Sequence, residues 1–262
     1  MRPEKAKPDS EERAVMLELQ GVSKTFYSDS GTHIRALEDL NLLVRKGEFI
    51  TLVGATGCGK TTLLNLIAGL DSPDQGQLRL GNGLRFGDNI AYVFQHYTLF
   101  PWRSTVGNVS FGLQMRGVGR KERKSKAFKL LSKVGLSDFK NAYPYELSGG
   151  MRQRAAIAQA LAIQPKLLLM DEPFGALDDS TRRELQQMLT ELWQENQTTI
   201  LFVTHNIDEA IMLGEKVLVF SERPGRILRK FDVELPRPRN LMTKEFTNLF
   251  VQIRQSLSTQ LD

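Results

Sequence analysis

At 262 residues the chain is long enough to bury one large core with a lobe attached. With 41% hydrophobic and 25% charged residues it has the make-up of an ordinary globular protein, which excludes a disordered or fibrous chain. The formal net charge of +5 invites an anionic partner, but the excess is partly local, lying between Arg116 and Lys133.

No apolar run approaches the roughly 18–20 residues that a bilayer crossing needs. The opening MRPEKAKPDSEER is charged and has no apolar h-region, so it reads as a short disordered tail over 1–15, not a secretory signal. The single cysteine, Cys58, leaves no internal disulfide and fits a reducing compartment. The expectation is a soluble, intracellular chain that meets a membrane only through partners.

In chain order, 16–19 and 40–44 predict early strands on either side of a polar, Gly-containing loop at 28–33. Phe49–Val53 is a short apolar strand running into a Gly-rich turn, with a helix expected behind it over 61–70 and another strand over 91–94. From about 100 to 160, longer helical patterns punctuated by Pro101 and Pro144 predict a helical insertion. Within it Ala127, Leu130, Leu131 and Val134 recur at helical spacing. The basic run above them therefore reads as the solvated face of an amphipathic helix; attraction to lipid headgroups or nucleic acid is the rival. The core resumes with a strand at 167–170 and a helix at 180–195, with Leu185, Met188, Leu189 and Leu192 inward. Strands at 199–203 and Lys216–Phe220 follow, then a Pro/Arg-rich stretch over 224–239 and a last helix near 243–257. This alternation predicts an α/β fold with a largely parallel sheet.

GATGCGKT at 54–61 has the phosphate-loop pattern, and it lies between a predicted strand and helix as that chemistry requires. Gly54, Gly57 and Gly59 let the backbone curl so that its N–H groups point at oxyanions, and the helix adds its positive end. Lys60 can reach the β and γ phosphates of a nucleoside triphosphate, and the Thr61 hydroxyl can ligate Mg²⁺. Ala55, Thr56, Cys58 and the following Thr62 complete the candidate nucleotide-binding set. LLLMDEP at 167–173 supplies the carboxylates: Asp171 emerges from a buried strand to hold Mg²⁺, directly or through a water, and Glu172 comes next, placed to orient or deprotonate the attacking water.

What narrows the class is LSGGMRQR at 147–154, which resembles the signature sequence of ATP-binding-cassette (ABC) ATPases. Ser148 is a good N-cap, and Gly149 and Gly150 expose N–H groups at the start of a helix, so the chain carries a second anion-binding turn. The resemblance implies ATP and Mg²⁺ as ligands. It also implies a head-to-tail dimer, with itself or a paralogous ATPase, in which each signature turn closes on the other subunit's nucleotide. It further implies a P-loop NTPase (RecA-like) core with an N-terminal antiparallel β subdomain and an inserted helical subdomain. Gln95 looks like the glutamine that senses Mg²⁺ and γ-phosphate, and His205 like the switch histidine. Ala176-Leu177-Asp178 is similar to the loop through which subunits communicate, and Phe26 to the aromatic that stacks on adenine, with Tyr27 as substitute. The resemblance spans about 16–235. It departs at Thr56, which keeps a hydroxyl where Ser is commoner, at Gln159 where Arg is usual, and in a slightly short stretch from 76 to 91.

Two further stretches resemble the nitrate/sulfonate/taurine/bicarbonate group of import ATPases: SERPGRI at 221–227 with LPRPR at 235–239, and TTLLNLIAGL at 61–70. LFPWRSTVGNVSFGLQ at 99–114 falls where that family receives its membrane subunits, with Pro101, Trp102 and Arg103 as a contact patch or, for Trp102, as core. The resemblance implies a catalytic set of Glu172, His205, Lys60 and Gln95, a metal set of Thr61, Gln95 and Asp171, and adds Phe26, Ser148, Gly149, Gly150 and Asp178 to the nucleotide-binding residues. The expected partners are two membrane-spanning permease subunits and, indirectly, a solute-binding protein, with no nucleic acid. The expected place is the cytoplasmic face of a bacterial inner membrane. The expected division is a tail at 1–15, an ATPase domain at 16–240 and a C-terminal helix at 241–262. An exporter ATPase or a nucleic-acid-handling ABC ATPase remains as the alternative.

Overall fold

The computed structural model describes residues 13–27, 31–81, 83–85, 88–175 and 177–258. The expected tail lies outside the described residues up to residue 12, as do part of the 28–33 loop and Ala176. The first half of the chain forms β1 (Val15–Tyr27), β2 (His33–Arg45), β3 (Phe49–Val53), α1 (Lys60–Ala68), β4 (Gln75–Leu80) and β5 (Ile90–Val93). The helical segment holds α2 (Thr105–Val109), α3 (Phe111–Met115), α4 (Arg120–Lys133) and α5 (Gly149–Ala162). Then come β6 (Leu167–Asp171), α6 (Asp179–Asn196), β7 (Thr199–Thr204), α7 (Ile207–Leu213), β8 (Lys216–Phe220), β9 (Ile227–Asp232) and α8 (Lys244–Ser258).

Six strands make one sheet in the order β5-β6-β7-β3-β8-β9, parallel as far as β8 and closed by antiparallel β9. β3, β6 and β7 are buried at every residue, as parallel strands covered on both faces must be. Alternate side chains leave on opposite faces. Ile50, Leu52, Leu169, Leu201 and Val203 meet Leu63 and Ile67 of α1 and the inner face of the antiparallel sheet β2-β1-β4. Phe49, Leu168, Met170 and Phe202 meet Leu185, Leu189 and Trp193 of α6. Trp193 is fully buried because its indole N–H has a partner, the Gly47 carbonyl at 2.9 Å.

The helical lobe packs around its own small core, including Val109, Leu113, Ala127, Leu131, Ala155 and Ala158. Ala127, Leu131 and Val134 are buried under α4 and Leu130 is half-buried, so the basic run is the outer face of that helix. The lobe is less uniformly helical than its sequence predicts: α2 and α3 have five residues each. Buried Asn108 holds the preceding loop, accepting from Phe100 N at 2.7 Å and donating to the Arg103 carbonyl at 3.0 Å. That brace turns Trp102 outward, 72% exposed, which excludes the core reading for it.

At the far end, α7, α8 and β8 share Val217, Val219, Phe246 and Ile253. The LPRPR stretch acquires a structural job there. Arg237 donates to the Met212 carbonyl at 3.0 Å and Arg239 to Gly214 at 2.6 Å, satisfying carbonyls that the end of α7 leaves unpaired, and Arg239 also donates to the Val233 carbonyl just past β9 at 3.1 Å.

Candidate functional site

Because β3, β6 and β7 run parallel, the residues just past their C-terminal ends meet at one edge of the sheet. From β3 the chain enters the 54–61 turn. Gly59 caps α1 with φ 103°, and a Cβ there would lie 2.5 Å from the Ala36 carbonyl, so only glycine fits. Lys60 is buried, and its ammonium donates to the Gly54 and Ala55 carbonyls, both at 2.8 Å. The loop is thus wrapped around its own lysine.

From β6 comes Asp171, the buried last residue of the strand. Burial pushes its carboxyl above the ordinary carboxylate value; hydrogen bonding by the Thr61 hydroxyl and the Lys60 charge oppose the rise, and the neighbouring Glu172 charge adds to it. Tyr92 of β5 stands beside it, its own hydroxyl pushed up by burial and by Asp171. Glu172 follows with φ 43°, a left-handed conformation that costs a residue with a side chain about 1–3 kcal/mol. Its Oε2 lies 2.9 Å from Nδ1 of His205, the residue just past β7. Below that pair, Thr204 donates its hydroxyl to buried Glu209 at 2.7 Å, and Glu209 faces Arg182 of α6 at 3.4 Å. Burial pushes Glu209 up, while Thr204 and Arg182 hold it back.

A cleft of about 390 Å³ opens over this edge, lined by Thr56–Thr62 apart from Cys58, by Gln95 and Glu172, and by Phe26, Ile34 and Ala36. Phe26 is therefore brought to the cleft, whereas Tyr27 stacks edge-on against His33 and does not line it. His205 lines an adjoining hollow with Gly54, Ala55 and Thr56. Ser148, Gly149, Gly150 and Asp178 do not line the cleft. Ser148 caps α5 by accepting from Met151 N at 3.3 Å, and Asp178 caps α6 by accepting from Thr181 N at 3.0 Å, which with Ser180 draws its carboxyl well below the usual range. Sequence reasoning missed Tyr92, Arg182, Glu209 and Arg223, which also lines the cleft. None belongs to a short motif with a phosphate-binding rationale; the Arg-Pro-Gly turn was the one available signal.

A strand-loop-helix phosphate site and a carboxylate pair on a parallel sheet define a P-loop ATPase. The family model described as ABC transporter matches residues 37–175. An ABC transporter ATP-binding protein of Methanocaldococcus jannaschii is 47% identical over 88% of this chain and 87% of its own length. The nitrate import ATP-binding protein NrtD of Synechocystis is 47% identical over 84% of this chain and 83% of its own. The taurine import ATP-binding protein TauB of Rhizobium johnstonii is 45% identical over 85% and 86%. Among solved structures, a dimeric ABC cassette in a post-hydrolysis state bound to ADP and Pi superposes with TM-score 0.76 at 34% identity, covering 84% of this chain and 99% of that one. The chain belongs to the ABC transporter family. It is an ATP-binding, ATP-hydrolysing cassette, grouped by these relatives with nitrate and taurine import ATPases. No helix among the described residues is long and apolar enough to cross a membrane.

Proposed function

We propose that this chain energises the import of a small anion of the nitrate, sulfonate, taurine or bicarbonate type, as the ATPase of a complex with two permease subunits and a solute-binding protein. It acts at the cytoplasmic face of the inner membrane without entering it. The observation that carries the catalytic part is the 2.9 Å contact between Glu172 and His205, beside the buried Asp171 and the Lys60 loop. The import part is supported by the nitrate and taurine import proteins among the relatives. In this reading the ATPase unit spans 16–240, with the lobe at about 100–160 inserted in it and a C-terminal helix at 241–262.

The geometry supports the following roles. Loop N–H groups and Lys60 hold the phosphates, and Phe26 offers its face to the adenine. The Thr61 hydroxyl is hydrogen-bonded to the Asp171 carboxylate, a pair of oxygen ligands that suits Mg²⁺, and Gln95 lines the cleft with Thr61. The cation, when bound, offsets charge on the phosphate oxygens. The water oxygen attacks the γ-phosphorus, the bond to the β–γ bridging oxygen breaks with its electrons leaving on ADP, and Glu172 takes the water proton. His205 keeps the Glu172 carboxylate aimed. Ser148, Gly149, Gly150 and Asp178 serve the partner's nucleotide, which is why they stand away from this cleft and why two copies close head to tail.

Uptake of labelled nitrate, bicarbonate, taurine and an alkanesulfonate in cells with and without the gene tests the reading. The expected result is loss of one uptake, restored by wild type and not by Lys60→Ala. Unchanged uptake of all four would reject the anion-import assignment.

A further inference from the structure

The SERPGRI turn between β8 and β9 plays no part in the mechanism above, yet it is built onto the phosphate loop. Arg223 donates from Nε and Nη2 to the Gly57 carbonyl, at 3.2 and 3.0 Å. Gly225 lies so close under the loop that a Cβ would fall 2.2 Å from the Cys58 carbonyl. Its backbone is bonded to β2 in both directions, Gly225 N to the Ala36 carbonyl at 2.9 Å and Glu38 N to the Gly225 carbonyl at 3.1 Å. Arg226 pairs with Glu38 and locks the same junction. Arg223 thus projects from a braced turn. Among the described residues that line the cleft, it and Lys60 are the two cations.

We infer that Arg223 is a nucleotide-positioning residue of this cassette, gripping the phosphate loop from outside; the inference rests on the cleft being the ATP site. A trans peptide is planar, so its C=O and N–H point in opposite directions. Holding the Gly57 carbonyl outward therefore aims the Cys58 N–H across the loop, where it donates to the Ala55 carbonyl at 3.4 Å. That long, weak bond is readily exchanged for a phosphate oxygen, which a preset N–H binds without further ordering. The guanidinium also adds fixed positive charge to the rim of a cleft for a polyanion, and Nη1 stays outside both bonds. A lysine here would supply charge without the two-pronged grip. Arg223 is exposed, so its removal leaves no buried charge behind.

The test is a titration of the full chain with a fluorescent ATP analogue and Mg²⁺, alongside steady-state ATPase, for wild type, Arg223→Ala, Arg223→Lys and Lys60→Ala. Arg223→Ala is expected to weaken binding by about tenfold, as loss of charge-assisted hydrogen bonds does, and to act on KM more than on kcat. Arg223→Lys should recover part of the loss. Affinity of Arg223→Ala within about twofold of wild type overturns the inference, and so does full recovery by Arg223→Lys, which leaves charge alone. A drop of more than about 4 °C in the nucleotide-free thermal midpoint also overturns it, by assigning the effect to folding. Lys60→Ala separates the two levels: if it binds the analogue like wild type, the reading of the cleft itself fails.

Discussion

In the six-stranded sheet every residue of β3, β6 and β7 is buried, whereas the helical lobe leaves Trp102 72% and Met115 63% exposed. The sheet core is made of large side chains, Phe49, Phe174, Phe202 and Trp193, interlocked between layers. The lobe core is made mostly of alanine, valine and leucine around short helices. Half-buried Met188 packs against both. Of the groups that must hold ångström geometry, Asp171, Glu172 and His205 hang from the ends of sheet strands, and Lys60 opens the helix packed on that sheet. The surface proposed to meet other subunits sits on the lobe, which has a core of its own. Close packing resists deformation, so side chains carried by the fully buried strands keep their geometry.

Four measurements would break or sharpen that contrast. The largest effect is expected at the sheet edge: Glu172→Gln should lower ATPase turnover about 10²–10⁴-fold while an ATP-bound dimer accumulates on size exclusion. Normal turnover would remove Glu172 as base. Next, Phe202→Ala in the sheet core should cost about 3–5 kcal/mol in denaturant unfolding, and Leu131→Ala in the lobe about 2–3 kcal/mol. Equal costs would mean the lobe is as rigidly packed as the sheet.

The third concerns Asp171. Its folded pKa is raised by burial, so the folded chain binds the proton more tightly than the unfolded one. Stability therefore falls as pH rises from about 4 through the folded value, and stays level above it. Asp171→Asn removes that penalty, and the nucleotide-free protein should gain stability at neutral pH while losing ATPase. Thermal midpoints across pH 4–8, an interval set about the ordinary carboxylate value, would show the difference between the two proteins narrowing towards low pH. A midpoint unchanged at neutral pH would contradict the burial argument. The smallest effect on stability is expected at Trp102→Ala, within about 0.5 kcal/mol of wild type, since its ring packs against little of its own chain. Solute uptake should nevertheless fall. A destabilised variant would return Trp102 to a packing role.

Fully buried strands were the easiest elements to see, because FITLV, LLLMD and TILFVT have no polar face to confuse with a helix. β4 and β9 escaped notice for the converse reason. QGQLRL and ILRKFD are edge strands, largely exposed, and nothing in their own residues demands burial. α7 is seven residues long, too short for a helical period to register, and is held by its Asn206 cap and the arginines behind it.

By itself the sequence determined the phosphate loop, the carboxylate pair, the signature turn and the alternation of strand and helix. Each is a local pattern whose chemistry depends on residues adjacent in the chain. Only the tertiary structure decided that Glu172 and His205, 33 residues apart, share a 2.9 Å contact. The same holds for Arg223, which reaches across 166 residues to Gly57, and for the signature turn, which lies off the cleft of its own chain. Those relations depend on strand order and on which loops the parallel sheet brings to one edge, and no spacing along the chain encodes that.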